Sequence, residues 1–125
     1  MRPGAIDQIR TYYKSIKKLM AEYGDGGKKI WFTEIGCPGV KRPTKDNGWW
    51  EGASPTEVQQ AAFVKDVFTR AIELPDVEKV FWAYFRDNDK HFNSGVDYFG
   101  LVRWDFSRKP AFEAYKRAIR RWVRP

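Results

Sequence analysis

Glu34 is the residue of this sequence with the plainest chemical potential. It sits near the end of the run Lys29-Ile30-Trp31-Phe32-Thr33-Glu34-Ile35, which is apolar on both faces until the glutamate. A carboxylate in that place must be solvated by a cleft, paired with a cation, or held for reaction. Pairing with a Lys or Arg is the plain structural reading, and nucleophilic or proton-transfer chemistry is the functional one. Arg86 and Asp87 end the second apolar run. They are expected to pair with each other or with Glu34, and an arginine beside Glu34 would favour its ionised form, as a nucleophile requires. Cys37 is the single cysteine, so an intrachain disulfide and a Cys-rich zinc site are excluded, and inert packing is its expected role. His91, the single histidine, has no His, Cys or carboxylate at metal-ligand spacing. It reads as a polar loop residue, with contact to a substrate hydroxyl as its functional alternative. Neither a metal nor a cofactor is expected.

The rings form the second group of candidates. Aromatic residues make up 17% of the chain, six of them Trp, and exposed rings stack on sugars, bases and partner surfaces. Trp49 and Trp50 are adjacent in a Gly- and Lys-rich stretch, where they can form a sugar platform, a subunit contact, or a folded-back loop that buries one of them. Trp104 beside Asp105 has the same alternatives. Trp82, inside an apolar run, reads from its surroundings as core packing between strand and helix.

The elements that must position these residues follow from periodicity and turn signals. Ile6, Ile9, Tyr13, Ile16, Met20 and Tyr23 recur at spacings of three and four, one stripe of a helix that Gly24-Asp25-Gly26-Gly27 stops. Lys29–Ile35 predicts a buried parallel strand. Residues 36–53 form a long Gly-, Pro- and Lys-rich connection, a candidate functional loop. Ser54-Pro55-Thr56-Glu57 reads as a capping box with Ser54 as the cap, opening a helix whose apolar face is Val64, Val67, Phe68, Ala71 and Ile72. Val80–Phe85 predicts a second buried strand, and residues 87–108 a second long loop. Pro110 opens a last helix, with Phe112, Tyr115, Ile119 and Trp122 on one face. The order α-β-α-β-α is a βαβ unit with a helix added at each end, and ligands of such units bind at the C-terminal ends of the strands.

The length of 125 residues and a hydrophobic content of 42% suit one domain with a real core. The net charge of +7 does not come with low hydrophobicity, so disorder is excluded. No apolar run approaches the roughly 18 residues of a membrane span, and the first residues lack the apolar stretch of a secretory signal.

Lys29-Ile30-Trp31-Phe32-Thr33-Glu34-Ile35-Gly36 resembles the strand-seven motif of retaining TIM-barrel glycoside hydrolases, in which a Thr-Glu-aliphatic-Gly run carries the nucleophile. Ser54–Glu57 with Gln60-Ala61-Ala62 is similar to the start of the next helix of those enzymes, and Val80–Asp87 to their eighth strand. Tyr98–Val102 with Ser107–Phe112 is similar to the segment before their last helix, Phe112 standing where Tyr is common. The likeness covers nearly the whole chain and is nearest to family-39-like β-xylosidases and related endoglycanases of the same clan. It implies the C-terminal portion of a (β/α)8 barrel, a retaining hydrolase of plant-type oligo- or polysaccharides with Glu34 as nucleophile. It further implies Trp82 as the floor of the sugar subsite; Trp49, Trp50 and His91, by their loop settings, and Tyr84 and Asp87, at the end of the second apolar run, are the other candidate substrate contacts. The acid/base of the resembled family follows an Asn at the end of strand four, and no Asn-Glu pair occurs in this chain.

A barrel of this kind has roughly 250 residues. Two parallel strands alone leave backbone edges bare, so self-association is expected, either four copies supplying eight strands or a dimer pairing open sheets. Two other readings remain open. One is a non-catalytic barrel fragment that self-associates or binds carbohydrate. The other is a basic polyanion- or nucleic-acid-binding module, against which the basic residues are spread over every helix rather than gathered with the rings.

Overall fold

In a computed structural model, residues 5–42 and 54–122 are described. Helix α1 (Ala5–Glu22) precedes strand β1 (Ile30–Ile35), helix α2 (Glu57–Ile72), strand β2 (Val77–Trp82), a 3-10 turn (Gly95–Tyr98) and helix α3 (Pro110–Trp122). The α-β-α-β-α order therefore holds, and β1 pairs with β2 in parallel.

The core lies on one side of this sheet. Phe63, Val64, Val67 and Phe68 of α2 meet Ala111, Ala114 and Ala118 of α3, with Cys37 and Leu101 completing the cluster. Ile35, Val80 and Trp82 pack on it from the strands. The α3 face differs from the expected one: alanines are its buried residues, whereas Ile119 is exposed and Phe112, Tyr115 and Trp122 are half-buried. Small side chains let the helices approach closely, and that closeness selects the face. Ile72 likewise lies exposed at the end of α2.

Three further expectations are corrected. Neither strand is buried on both faces, because Trp31 and Phe81 remain about half exposed (49% and 47%). Among the described residues, only the helix side of the two-stranded sheet is covered. The second strand runs over Val77–Trp82 rather than Val80–Phe85. Pairing begins directly after α2, where the Ile30 N–H donates to Asp76 O at 2.7 Å, and beyond Trp82 the backbone turns to new partners, Tyr84 N–H donating to Phe99 O and Val102 N–H to Phe85 O. Finally, α2 is capped by Thr56, not Ser54. Thr56 Oγ1 accepts from Gln59 N–H and Gln59 Oε1 accepts from Thr56 N–H, so the capping box is shifted two residues along. Val40 bridges to Thr56, which fixes Thr56 in the extended conformation a cap needs.

Helix α1 is held by ion pairs, Arg10 to Glu73 at 3.1 Å and Lys17 to Asp76 at 2.8 Å, and by Ile9, which packs against the core. Of its expected stripe Ile9, Tyr13 and Met20 are half-buried, while Ile16 and Tyr23 are exposed.

Candidate active site

The C-terminal ends of both strands, and the loops that follow them, gather the residues with chemical potential. Phe32 pairs with Val80 and Ile35 with Trp82, so β1 spends three steps where β2 spends two. One extra residue in the ladder is a bulge, which bends a strand and re-aims its side chains. Phe32 and Ile35 are both half-buried, and between them Thr33 and Glu34 are consecutively exposed. Glu34 makes no hydrogen bond or ion pair with any described residue, so the expected pairing with a Lys or Arg is not seen. The bulge was invisible to periodicity, although Thr33-Glu34, two polar residues in a row inside an apolar run, is its sequence trace.

Glycines let the strand ends meet. A Cβ on Gly36 would run into Ala83 O and approach the Phe99 ring at 3.0 Å. Tyr84 and Phe99 rings lie 6.5 Å apart, and Tyr84 is 43% exposed. Trp82 takes the other side. Its ring meets Phe63 edge-on at 6.2 Å, and its indole N–H donates to Phe99 O at 3.1 Å. It is half-buried among helix-side residues, the core placement that its surroundings in the sequence suggest.

Asp87 and Arg86 do not pair with each other or with Glu34. Asp87 is buried, and its Oδ1 accepts from Lys109 Nζ at 2.7 Å and from Gly100 N–H at 2.9 Å. The Lys109 ammonium also donates to Gly39 O at 2.9 Å and Tyr98 O at 3.0 Å, so one buried lysine ties the loop after β1 to the loop after β2. Burial pushes the Asp87 carboxyl above its ordinary value and the Lys109 ammonium below its own, and their mutual attraction offsets this only in part. Neither residue was legible as a pair, because 22 positions separate them. Arg86 instead lies over the rings of Trp104 at 3.8 Å and Phe106 at 4.6 Å, a cation–π stack that satisfies it without a carboxylate.

Gln60, fully buried, is a second tie that sequence reasoning missed. Its Nε2 donates to Cys37 O at 3.0 Å and Gly100 O at 3.2 Å, and a Cβ on Gly39 would collide with its amide. Cys37 is buried and its thiol is pushed up to about 12 by desolvation, which agrees with inert packing. His91 is exposed, its ring edge-on to Phe92 at 4.7 Å. Trp49 and Trp50 lie outside the described residues. Among the described residues no three His, Cys, Asp or Glu side chains gather as metal ligands, and no helix is long and apolar enough to cross a membrane.

Glycoside hydrolases are what the chain resembles. The GH5_18 enzyme of Streptomyces cattleya in complex with GlcNAc is similar over 78% of this chain at 25% identity, with a TM-score of 0.58. Its E153A variant with Manβ1-4GlcNAc is similar over 76% at 26% identity, with a TM-score of 0.57. Bifidobacterium dentium β-glucuronidase, complexed with coumarin-3-O-glucuronide, matches over 98% at 16% identity with a TM-score of 0.59, and at that identity speaks for the fold alone. This chain spans about a fifth of these proteins, 21%, 21% and 19% of their lengths. No protein-family model and no curated protein matches the chain. The neighbours support a fragment of a TIM-barrel glycoside hydrolase, not family 39 or xylosidase activity in particular.

Proposed function

We propose that this chain is the nucleophile-bearing portion of a retaining glycoside hydrolase barrel, with Glu34 as nucleophile. The observation that carries the reading is the setting of Glu34: an exposed carboxylate, without a partner among the described residues, in a bulge at the C-terminal end of a parallel strand, in a fold similar to glycoside hydrolases. In the retaining reaction a Glu34 oxygen attacks the anomeric carbon as the bond to the leaving oxygen breaks. A second carboxyl about 5–5.5 Å away protonates that oxygen and then activates the water that releases the sugar. Asp87 is held by Lys109 and does not suit that second role, which falls instead to a carboxyl carried in by whichever strands complete the barrel. Tyr84, an exposed ring just beyond the strand end and next to Phe99, is the first candidate for sugar contact, with Trp82 as the ring beneath the subsite by the family resemblance, Asp87 positioning the loop, and Trp49, Trp50 and His91 as outer contacts. The substrate class we infer is a plant-type oligo- or polysaccharide, with xylosides and glucosides the first to test in view of the family-39-like motifs. The remaining strands are supplied in our reading by other copies, four making eight strands or two pairing open sheets.

A 2-deoxy-2-fluoro glycoside with a dinitrophenolate leaving group tests Glu34 directly, because such a leaving group departs without a general acid. Intact-mass and peptide mass spectrometry after incubation should find one glycosyl group on the peptide containing Glu34, and none in Glu34→Gln. Labelling elsewhere, or none on a chain that light scattering shows to be oligomeric and that binds sugar, would remove the nucleophile assignment.

A further inference from the structure

We propose that the cleft between the two strand-end loops is a second saccharide site, apart from Glu34, and that it takes an anionic sugar such as an oligouronide. It rests on the carbohydrate reading above but not on turnover. The cleft has a volume of about 570 Å³, within the roughly 300–1,000 Å³ of small-ligand sites. Gly39–Arg42 line it from the loop after β1, and Asp87–Lys90 from the loop after β2, with Tyr98, Arg103 and Trp104 between.

Charge selects the ligand. The acids of the wall are already answered: Glu57 accepts two hydrogen bonds from Arg103, at 2.8 and 2.6 Å, and Asp87 faces Lys109 at 2.7 Å. Lys41, Arg42 and Lys90 line the cleft without a salt bridge to any described residue. Lys41 acts on Asp105 through space only, and among the described residues Asp89 is the one lining acid left to set against these three cations. Bidentate arginine and flexible lysine are the side chains that recognise carboxylates.

The rings point to a sugar rather than a bare ion. Tyr98 and Trp104 are 37% and 47% exposed, and Trp104 is backed by Arg86, leaving a fixed aromatic surface for sugar C–H groups. Lys90 holds a left-handed backbone (φ 53°), a conformation that glycine or asparagine adopts at lower cost. A nucleic acid fits less well, because the basic face of α3, Lys116 and Arg120, is not part of this cleft.

Titration calorimetry and amide chemical-shift mapping on the whole chain, with trigalacturonate and its methyl ester, test the site. Expected are binding of the acid about tenfold tighter than the ester, and shifts at Lys41, Arg42 and 88–90. Exchange of both Arg42 and Lys90 for Glu should weaken it by about tenfold or more. If R42E/K90E does not fold, R42Q/K90Q serves, with a smaller loss in the same direction. Equal affinity for the ester, equal loss on changing Lys116 and Arg120 to Glu, displacement by sulfate as readily as by the sugar, or tighter binding of duplex DNA would each overturn the assignment. Glu34→Gln should leave this binding intact while abolishing fluoroglycoside labelling, so the two readings fail separately.

Discussion

Replacing Lys109 by methionine should be among the most destabilising single changes in this protein. The ammonium is 1% exposed and donates to three acceptors on three loop segments: Asp87 Oδ1, Gly39 O and Tyr98 O. Methionine fills similar space without donating. It leaves Asp87 as a buried carboxylate with only the Gly100 N–H, and Gly39 O without its lysine donor. Removing one partner of a buried pair costs roughly 3–5 kcal/mol, a large part of the roughly 5–15 kcal/mol by which domains are stable. The charge-free double variant, Asp87→Asn with Lys109→Met, keeps an acceptor for Gly100 and removes the orphaned charge. It should lose about 2–3 kcal/mol less than the sum of the two single changes. Urea unfolding at fixed protein concentration measures all three, the concentration being held because association would shift the midpoint. Single losses under about 1 kcal/mol, or strict additivity, would refute the reasoning that this pair clamps the loops.

The same pair sets a pH dependence. Asp87 is raised above 3.8 in the folded chain, mainly by burial, so folding favours its protonated form. That contribution is full below pH 3.8 and is lost as pH rises through the raised value. Lys109 is lowered below 10.5, again mainly by burial, so its contribution is full above pH 10.5 and is lost as pH falls through the lowered value. Wild type should therefore lose stability on titration upward through the Asp87 value, and Asp87→Asn should lack that fall.

Two further outcomes follow from local geometry. Thr56→Ala removes the acceptor for Gln59 N–H and should cost about 1 kcal/mol, whereas Ser54→Ala should not reproduce that loss of capping; helix content by far-UV circular dichroism and urea midpoints distinguish them. Cys37, with its thiol pushed from 9.0 to about 12, should react with iodoacetamide at pH 8 about a thousandfold more slowly than an ordinary thiol on thiolate fraction alone, and normally once unfolded. Mass spectrometry of native and denatured samples gives both rates.

Much of the fold was legible because its signals are local. Gly24 at a left-handed φ of 78° stops α1, Pro110 opens α3, and the apolar runs mark both strands. What was not legible depends on distant partners. The second strand lies three residues early because its pairing is set by Ile30 and Asp76, which no local run of apolar residues records. The cap falls on Thr56 because Val40 bridges to it. Arg86 turns to Trp104 and Phe106 rather than to a carboxylate, and Asp87 finds a lysine that follows it by 22 positions. Glu34 stood out by type and place, while the bulge that exposes it required the register of both strands.

In the proposed barrel, completing the sheet and completing the site would be one physical event. Ile35, Val80 and Trp82 are spent on the helix-side core, while Trp31 and Phe81, 6.4 Å apart, stay half exposed on the strands. Their exposed area and the strand edges left open among the described residues would drive the addition of further strands in that barrel. In a barrel those added strands bring their own C-terminal ends to the same rim as Glu34. Whatever covers Trp31 and Phe81 in parallel register therefore also walls the space in front of Glu34 and carries in the residues that a second carboxyl must come from. A partner docking in the opposite direction would cover the rings equally well and leave Glu34 facing the wrong ends of its strands. Strand polarity, more than buried area, thus decides between a catalytic assembly and an inert one.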